Sequence, residues 1–168
     1  RKKIFFQPQN TRAAIVTCGG LCPGINNVIQ GIVRMLTFQY GVKTIFGIRY
    51  GFEGLIPHFG HSFIELTPQF VHDLHEKGGT VLGSSRGRQD EKEIVDTLVA
   101  HAINILFVIG GDGSLRCAYD IYREVKKRNL PIAIVGIPKT IDNDIWFVDK
   151  TFGFSTAVST AAQAIYAA

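Results

Sequence analysis

The sequence predicts an α/β fold, a three-layer sandwich in which a mostly parallel sheet is flanked by helices. Two continuous apolar runs, Ile105-Leu106-Phe107-Val108-Ile109 and Ile132-Ala133-Ile134-Val135-Gly136-Ile137, have the uncharged character that strands at the centre of a parallel sheet require. Between them, residues 114–128 read as an amphipathic helix closing on Lys126-Lys127-Arg128, cations that suit the negative end of a helix dipole. Upstream, Ala13-Ala14-Ile15-Val16-Thr17 is a short β-branched run closed by Gly19-Gly20, and a helix follows through Ile25, Val28, Ile29, Ile32, Val33 and Leu36. Strand, turn and helix alternating in this way make a Rossmann-like arrangement.

The elements follow in order. After the first strand and the helix over 25–38, residues 42–48 form a second strand candidate, and the glycine-punctuated stretch 51–60 reads as loop. Pro68 opens a predicted helix to residue 76, since proline in a first turn loses no hydrogen bond, and Gly78-Gly79 ends it. A short strand over 80–82 leads into the polar loop 83–90. Residues 91–100 are helical, with Ile94, Val95 and Leu98 on one face, Asp90-Glu91-Lys92-Glu93 as a solvated initiating run and His101 at the helix end. The last twelve residues, 157–168, read as a helix that stops without a cap. Because the chain also opens on Arg1 and holds its one methionine, Met35, inside a predicted helix, it reads as a fragment of a longer polypeptide.

Composition narrows the function classes. The 168 residues are 46% hydrophobic and 19% charged, enough for one domain with a substantial core. No apolar run approaches the length of a membrane span, and the N-terminus lacks the layout of a signal peptide, so a cytoplasmic protein without a membrane partner is expected. Three cysteines, an odd number, fit a reducing compartment better than a disulfide framework. The net charge of +4 comes from scattered basic residues, which suits anionic small molecules and not nucleic acid.

Chemistry concentrates in two motifs, each directly after a strong strand. In Gly110-Gly111-Asp112-Gly113-Ser114, Asp112 stands where backbone N–H groups can hold phosphates and a carboxylate can ligate Mg²⁺ bridging them. It reads alternatively as a helix cap, although a cap needs one polar residue, and the glycines imply that something comes close to the backbone. In Pro138-Lys139-Thr140-Ile141-Asp142-Asn143-Asp144, an extended segment would turn Thr140, Asp142 and Asp144 to the same side. One carboxylate could then take a proton from an attacking hydroxyl while another group orients substrate. Lys139 supplies one cation nearby, and Arg86, in Gly83-Ser84-Ser85-Arg86-Gly87, a second.

The remaining signals are weaker. Thr17-Cys18-Gly19-Gly20-Leu21-Cys22-Pro23-Gly24-Ile25-Asn26-Asn27 reads as an anion-binding turn or merely as a tight connection; it is no Walker A loop. Cys18 and Cys22 read as packing residues, and His58, His61, His72 and His75 as exposed histidines. Trp146 and Phe147 either flank the second motif or pack under a loop.

In this order and spacing, residues 17–27, 83–87, 110–114 and 138–144 closely resemble the N-terminal half of a 6-phosphofructokinase, in the ATP-dependent branch found in plants, trypanosomes and some bacteria. The resemblance implies a nucleotide-binding domain over 13–168, preceded by an extension over 1–12 and lacking the C-terminal substrate domain. It implies ATP-dependent phosphorylation of fructose 6-phosphate at the 1-hydroxyl, with Mg²⁺ as cofactor, in a homo-oligomer, dimer or tetramer. Asp142 would be the base, with Thr140 and Asp144 binding or orienting the sugar and metal. Asp112 would ligate Mg²⁺, Gly19, Gly113 and Ser114 would contact phosphates, Lys139 would lie on the cofactor side and Arg86 would stabilise the transferred group. Pyrophosphate-dependent members typically carry aspartate where this chain has Gly113, whereas Lys139 is shared with them; the branch above combines the glycine with the lysine and uses ATP. Cys117 stands where many members have glycine near the nucleotide, and Arg49-Tyr50 replaces an aromatic-acidic pair of the bacterial adenine region. Two alternatives stay open, a pyrophosphate-dependent enzyme and a nucleotide-binding regulatory module without turnover. The isolated 168 residues are expected to have little activity.

Overall fold

β1 (Arg12–Thr17) is buried from Ala13 onward, and its alternating side chains feed two separate cores. In the computed structural model, which describes residues 5–167, Ala13 and Ile15 pack with Ile25, Ile29 and Val33 of α1 (Ile25–Arg34). Ala14 and Val16 face the other way, against Ile94, Val95 and Leu98 of α2 (Glu91–Ala100) and Ala118, Ile121 and Val125 of α3 (Asp112–Lys127). That two-sided burial makes the three layers. It is also why the strand reads as an uninterrupted apolar run without alternation.

β2 (Thr44–Ile48), β3 (Ile64–Glu65), β4 (Ile105–Gly110) and β5 (Ala133–Pro138) complete a five-stranded sheet in the order β3-β2-β1-β4-β5. β1 pairs in parallel with β2 (Ile15 opposite Gly47) and with β4 (Ile15 opposite Phe107), and β4 pairs in parallel with β5. The chain leaves β1 toward β2 over one face and reaches β5 from β4 over the other. The strand order therefore reverses between β1 and β4, which opens a crevice at their C-terminal ends.

Several local expectations are corrected. Residues 68–76 form turns and a short 3-10 helix (Leu74–Glu76), not the predicted helix. A side chain of α1 takes carbonyls a helix would have paired: Gln30 Nε2 donates to those of Val71 (2.8 Å) and His72 (2.7 Å), while Asn26 holds the loop beyond, donating to Lys77 O (2.9 Å) and accepting from Val81 N–H (2.8 Å). Val71 and Leu74 are buried, so the segment gains its stability from docking. The predicted strand over 80–82 is a turn, bonded to the end of β2 through Tyr50 N–H and Leu82 O (2.9 Å). The antiparallel partner of β2 is instead β3, whose two residues carry too little periodicity to be read. The stretch 51–60 contains two 3-10 helices, Gly51–Leu55 and Pro57–Phe59. β5 lies at the sheet edge, not its centre, and Val135 is exposed there.

Elsewhere the local chemistry behaves as expected. Asp90 caps α2 by accepting from Lys92 N–H at 2.8 Å, and His101 is the residue at the C-cap. Arg128, just beyond α3, bonds Glu124 Oε1 (2.7 Å), Asp96 Oδ1 and the Lys92 carbonyl (3.4 Å), tying α3 to α2. Cys18 and Cys22 are buried in opposite cores, and burial pushes the Cys18 thiol up to about 12. His58, His72 and His75 are exposed and His61 is half-buried. α4 (Phe154–Ala167) buries none of its described side chains.

Candidate active site

The crevice between β1 and β4 opens into a cleft of about 630 Å³ lined by all four of the sequence motifs. Its floor comes from the ends of three parallel strands. Cys18 N–H extends the β1–β4 ladder to Ile109 O (2.9 Å), and Lys139 N–H extends the β4–β5 ladder to Gly110 O (2.9 Å). The first glycine turn and the motif at 138–144 are therefore held on either side of Gly110-Gly111.

α3 begins immediately at Asp112, two residues earlier than periodicity predicts, with Gly111 as its N-cap. Glycine provides no capping side chain, so the N–H groups of Asp112, Gly113 and Ser114 lack both intrahelical and side-chain acceptors at the cleft. The first turn of a sixteen-residue helix with open donors can receive an anion such as phosphate. The alternative reading of Asp112 as a cap does not hold, because it lies inside the helix, exposed, at the cleft wall. Gly110 and Gly113, either side of the Gly111-Asp112 pair, differ in the room around them. A Cβ on Gly110 would sit 2.4 Å from Ser114 Cβ, whereas a Cβ on Gly113 meets nothing within 4 Å.

The loop over 83–90 is drawn onto the first turn. Thr17 Oγ1 donates to Gly83 O (2.6 Å), Ser84 Oγ donates to Gly19 O (2.5 Å), and Gly19 N–H donates to Ser85 O (3.2 Å). Gly19 thus contributes space at the cleft, its N–H being already engaged by Ser85. Arg86 lies on the cleft wall and is exposed. Lys139 is buried, and its ammonium donates to the Gly20 carbonyl, so it clamps the first turn to the second motif.

The second motif is a turn, not an extended segment. Asn143 has φ +54, and Thr140 Oγ1 accepts from Asp142 N–H at 3.1 Å while donating to Asp144 Oδ1 at 2.8 Å. Thr140 and Asp142 line the cleft; Asp144 does not, and reaches it only through the Thr140 hydroxyl. Trp146 and Phe147 are fully exposed beyond this turn, not packed under a loop.

The cleft thus gathers Gly19, Arg86, Asp112, Gly113, Ser114, Lys139, Thr140 and Asp142. It also holds Arg88, Arg116 and Asp120, which the sequence reading passed over. Their signals were present: a second arginine in Ser-Ser-Arg-Gly-Arg, and the i, i+4, i+8 spacing of Asp112, Arg116 and Asp120 along one side of α3. Cys117 lines the same wall, its thiol pushed up by burial. Among the described residues, no three His, Cys, Asp or Glu side chains converge as a metal cage. A single exposed carboxylate beside open amide donors fits Mg²⁺ held by one protein oxygen, substrate phosphates and water.

Comparisons with known proteins bear on the chain as a whole. A family model described as Phosphofructokinase matches residues 12–168. The chain is 53% identical over 166 residues to an ATP-dependent 6-phosphofructokinase from Entamoeba histolytica, covering 99% of this chain and 38% of that protein. It is 51% identical over 168 residues to an ATP-dependent 6-phosphofructokinase from Trypanosoma brucei brucei, covering 100% of this chain and 34% of the relative. Among solved structures, a phosphofructokinase from Pichia pastoris superposes with a TM-score of 0.78 at 26% identity, over 92% of this chain and 19% of that one. The chain spans little more than a third of the length of the curated relatives it matches.

Proposed function

The chain belongs to the phosphofructokinase family, and from that premise we propose that its full-length gene product transfers the γ-phosphoryl group of ATP to the 1-hydroxyl of fructose 6-phosphate. The observation that carries this reading is the single cleft that joins uncapped helix amides and Asp112 on one wall to Thr140 and Asp142 on the other. Donor phosphates rest on the N-terminal amides of α3, with Arg86 over the transferred group. Asp142 takes the proton of the 1-hydroxyl as that oxygen bonds to the γ-phosphorus. The bond from the γ-phosphorus to the bridging oxygen breaks, and ADP leaves. Asp144 acts one step back, holding the Thr140 hydroxyl that orients the sugar.

Asp112 is the residue that would hold Mg²⁺, and the ion when bound neutralises phosphate charge. ATP is the donor because the position where an aspartate would repel its phosphates is Gly113, open to the cleft, and because relatives at about half identity are named ATP-dependent. Residues 13–168 form the nucleotide-binding domain, residues 1–12 an extension, and a C-terminal substrate domain lies in the rest of the gene product. A cytoplasmic homo-oligomer belongs to the same proposal; among the described residues no helix is long and apolar enough to cross a membrane.

The test is turnover of fructose 6-phosphate by the full-length gene product with Mg²⁺ and either ATP or pyrophosphate. Asp142→Ser should cost about 10²- to 10⁴-fold in kcat, the usual worth of a general base. Near-parental turnover in that variant removes Asp142 as the base. Faster turnover with pyrophosphate overturns the donor, and ATP binding without sugar-dependent ADP release would mean a regulatory module.

A further inference from the structure

Arg86 sits in a stretch that is anchored at both ends and exposed between them. Upstream, Ser84 and Ser85 are bonded to Gly19, and downstream Asp90 is committed to capping α2. Arg86, Gly87 and Arg88 are exposed, and Gly87 has φ +113, a conformation that side-chain-bearing residues rarely adopt. One side-chain bond ties this stretch to the body of the protein: Arg88 Nη2 donates to Asp120 Oδ2 at 2.6 Å. Asp120 lies eight residues along α3 from Asp112, and both line the cleft.

We propose that Arg88 and Asp120 form a clasp that positions Arg86 for phosphoryl transfer. They fix the arginine-bearing loop to the same helix whose first turn carries Asp112, Gly113 and Ser114. The proposal rests on the kinase reading above. Stability does not account for the pair: Arg88 is 66% exposed and Asp120 26%, and an ion pair of that exposure contributes about 0–1 kcal/mol. Geometry does account for it. Without the clasp no side-chain bond fixes the Arg86 segment to α3, and a displacement of about 1 Å in a charge-stabilising group can cost on the order of a hundredfold in rate. With it, the cation over the transferred group and the amides under the phosphates share one rigid reference. Arg88 and Asp120 are therefore positioning residues, acting through Arg86.

The test uses the full-length gene product with Arg88→Gln, Asp120→Asn and the charge swap Arg88→Asp/Asp120→Arg. In each single variant the rate of tryptic cleavage after the exposed Arg86 should rise about tenfold, and kcat should fall by about tenfold or more with both KM values within about twofold. Melting temperature should move by no more than about 2 °C. The swap should recover both cleavage rate and kcat. Unchanged cleavage in both single variants overturns the clasp. So does a kcat loss that the swap leaves unrepaired while the KM for ATP rises, since Arg88 would then be touching the nucleotide itself. If the unmutated protein turns over no fructose 6-phosphate, the kinase reading fails while cleavage still decides the clasp.

Discussion

Replacing Gly113 with aspartate loads the donor wall of the cleft without loading the fold. An added Cβ at this position meets nothing within 4 Å, and Gly113 lies in the first turn of α3, outside the left-handed region. Removing a helical glycine and adding a carboxylate at a helix N-terminus are each worth up to about 1 kcal/mol in favour of the fold, partly offset by repulsion from Asp112. The melting temperature should therefore stay level or rise slightly. The ligand bears the cost. A phosphate seated on the α3 amides would meet the new carboxylate at about 4 Å, where two unit charges repel by about 4 kcal/mol at an effective dielectric of 20. At 1.4 kcal/mol per tenfold, that is on the order of 10³ in affinity, and about 10² after partial screening. Gly113→Ala occupies the same open space without charge and serves as the control. Steady-state kinetics of the full-length gene product should show the KM for ATP raised about 10²- to 10³-fold in Gly113→Asp and changed by less than about threefold in Gly113→Ala. An unchanged KM for ATP in Gly113→Asp would refute the seating of phosphate on this turn. A loss of similar size in Gly113→Ala would refute the charge argument.

Two further outcomes follow from particular contacts. Gly110→Ala places a Cβ 2.4 Å from Ser114 Cβ and 2.6 Å from its hydroxyl, atoms too near the backbone to swing aside. Thermal unfolding should show a loss of about 1–3 kcal/mol, and nucleotide affinity should fall with it because the α3 turn must shift; an unperturbed melt would contradict the packing. The hydrogen bond from Arg128 is the main reason the Glu124 carboxyl is held below its ordinary value, with Lys127 assisting. A depressed carboxyl contributes stability above the ordinary carboxylate range and loses it as pH falls through the folded value. Arg128→Gln should flatten that acid limb in a pH series of melting temperatures, and an unaltered acid slope would show that the pair does not matter there.

Much of the site was legible because its residues are set by local requirements. A parallel strand buried on both faces must be an unbroken apolar run, and a phosphate turn must be glycine-rich, so β1, β4 and the motif at 110–114 declare themselves in one dimension. The helix expected over 68–76 failed because its competitor lies far along the chain: Gln30 captures the Val71 and His72 carbonyls across the fold, and no local pattern records that. The expectation that Thr140, Asp142 and Asp144 share a face failed similarly. Asn143 in the left-handed region and the Thr140–Asp144 hydrogen bond turn the segment, which leaves Asp142 at the cleft and Asp144 behind it.

By itself the sequence determined which residue types stand at the strand ends: the glycine-rich turns, the carboxylates and the cations. Tertiary structure alone decided how those groups divide the work. It committed the Gly19 amide to Ser85 and the Lys139 ammonium to Gly20, left the α3 amides open, and drew Arg88 to Asp120 from 32 residues away. The physical reason is that hydrogen bonds and ion pairs are exclusive. A donor named by its residue type is available to a ligand only if no neighbour in the fold has already taken it, and which neighbours it has is settled by packing.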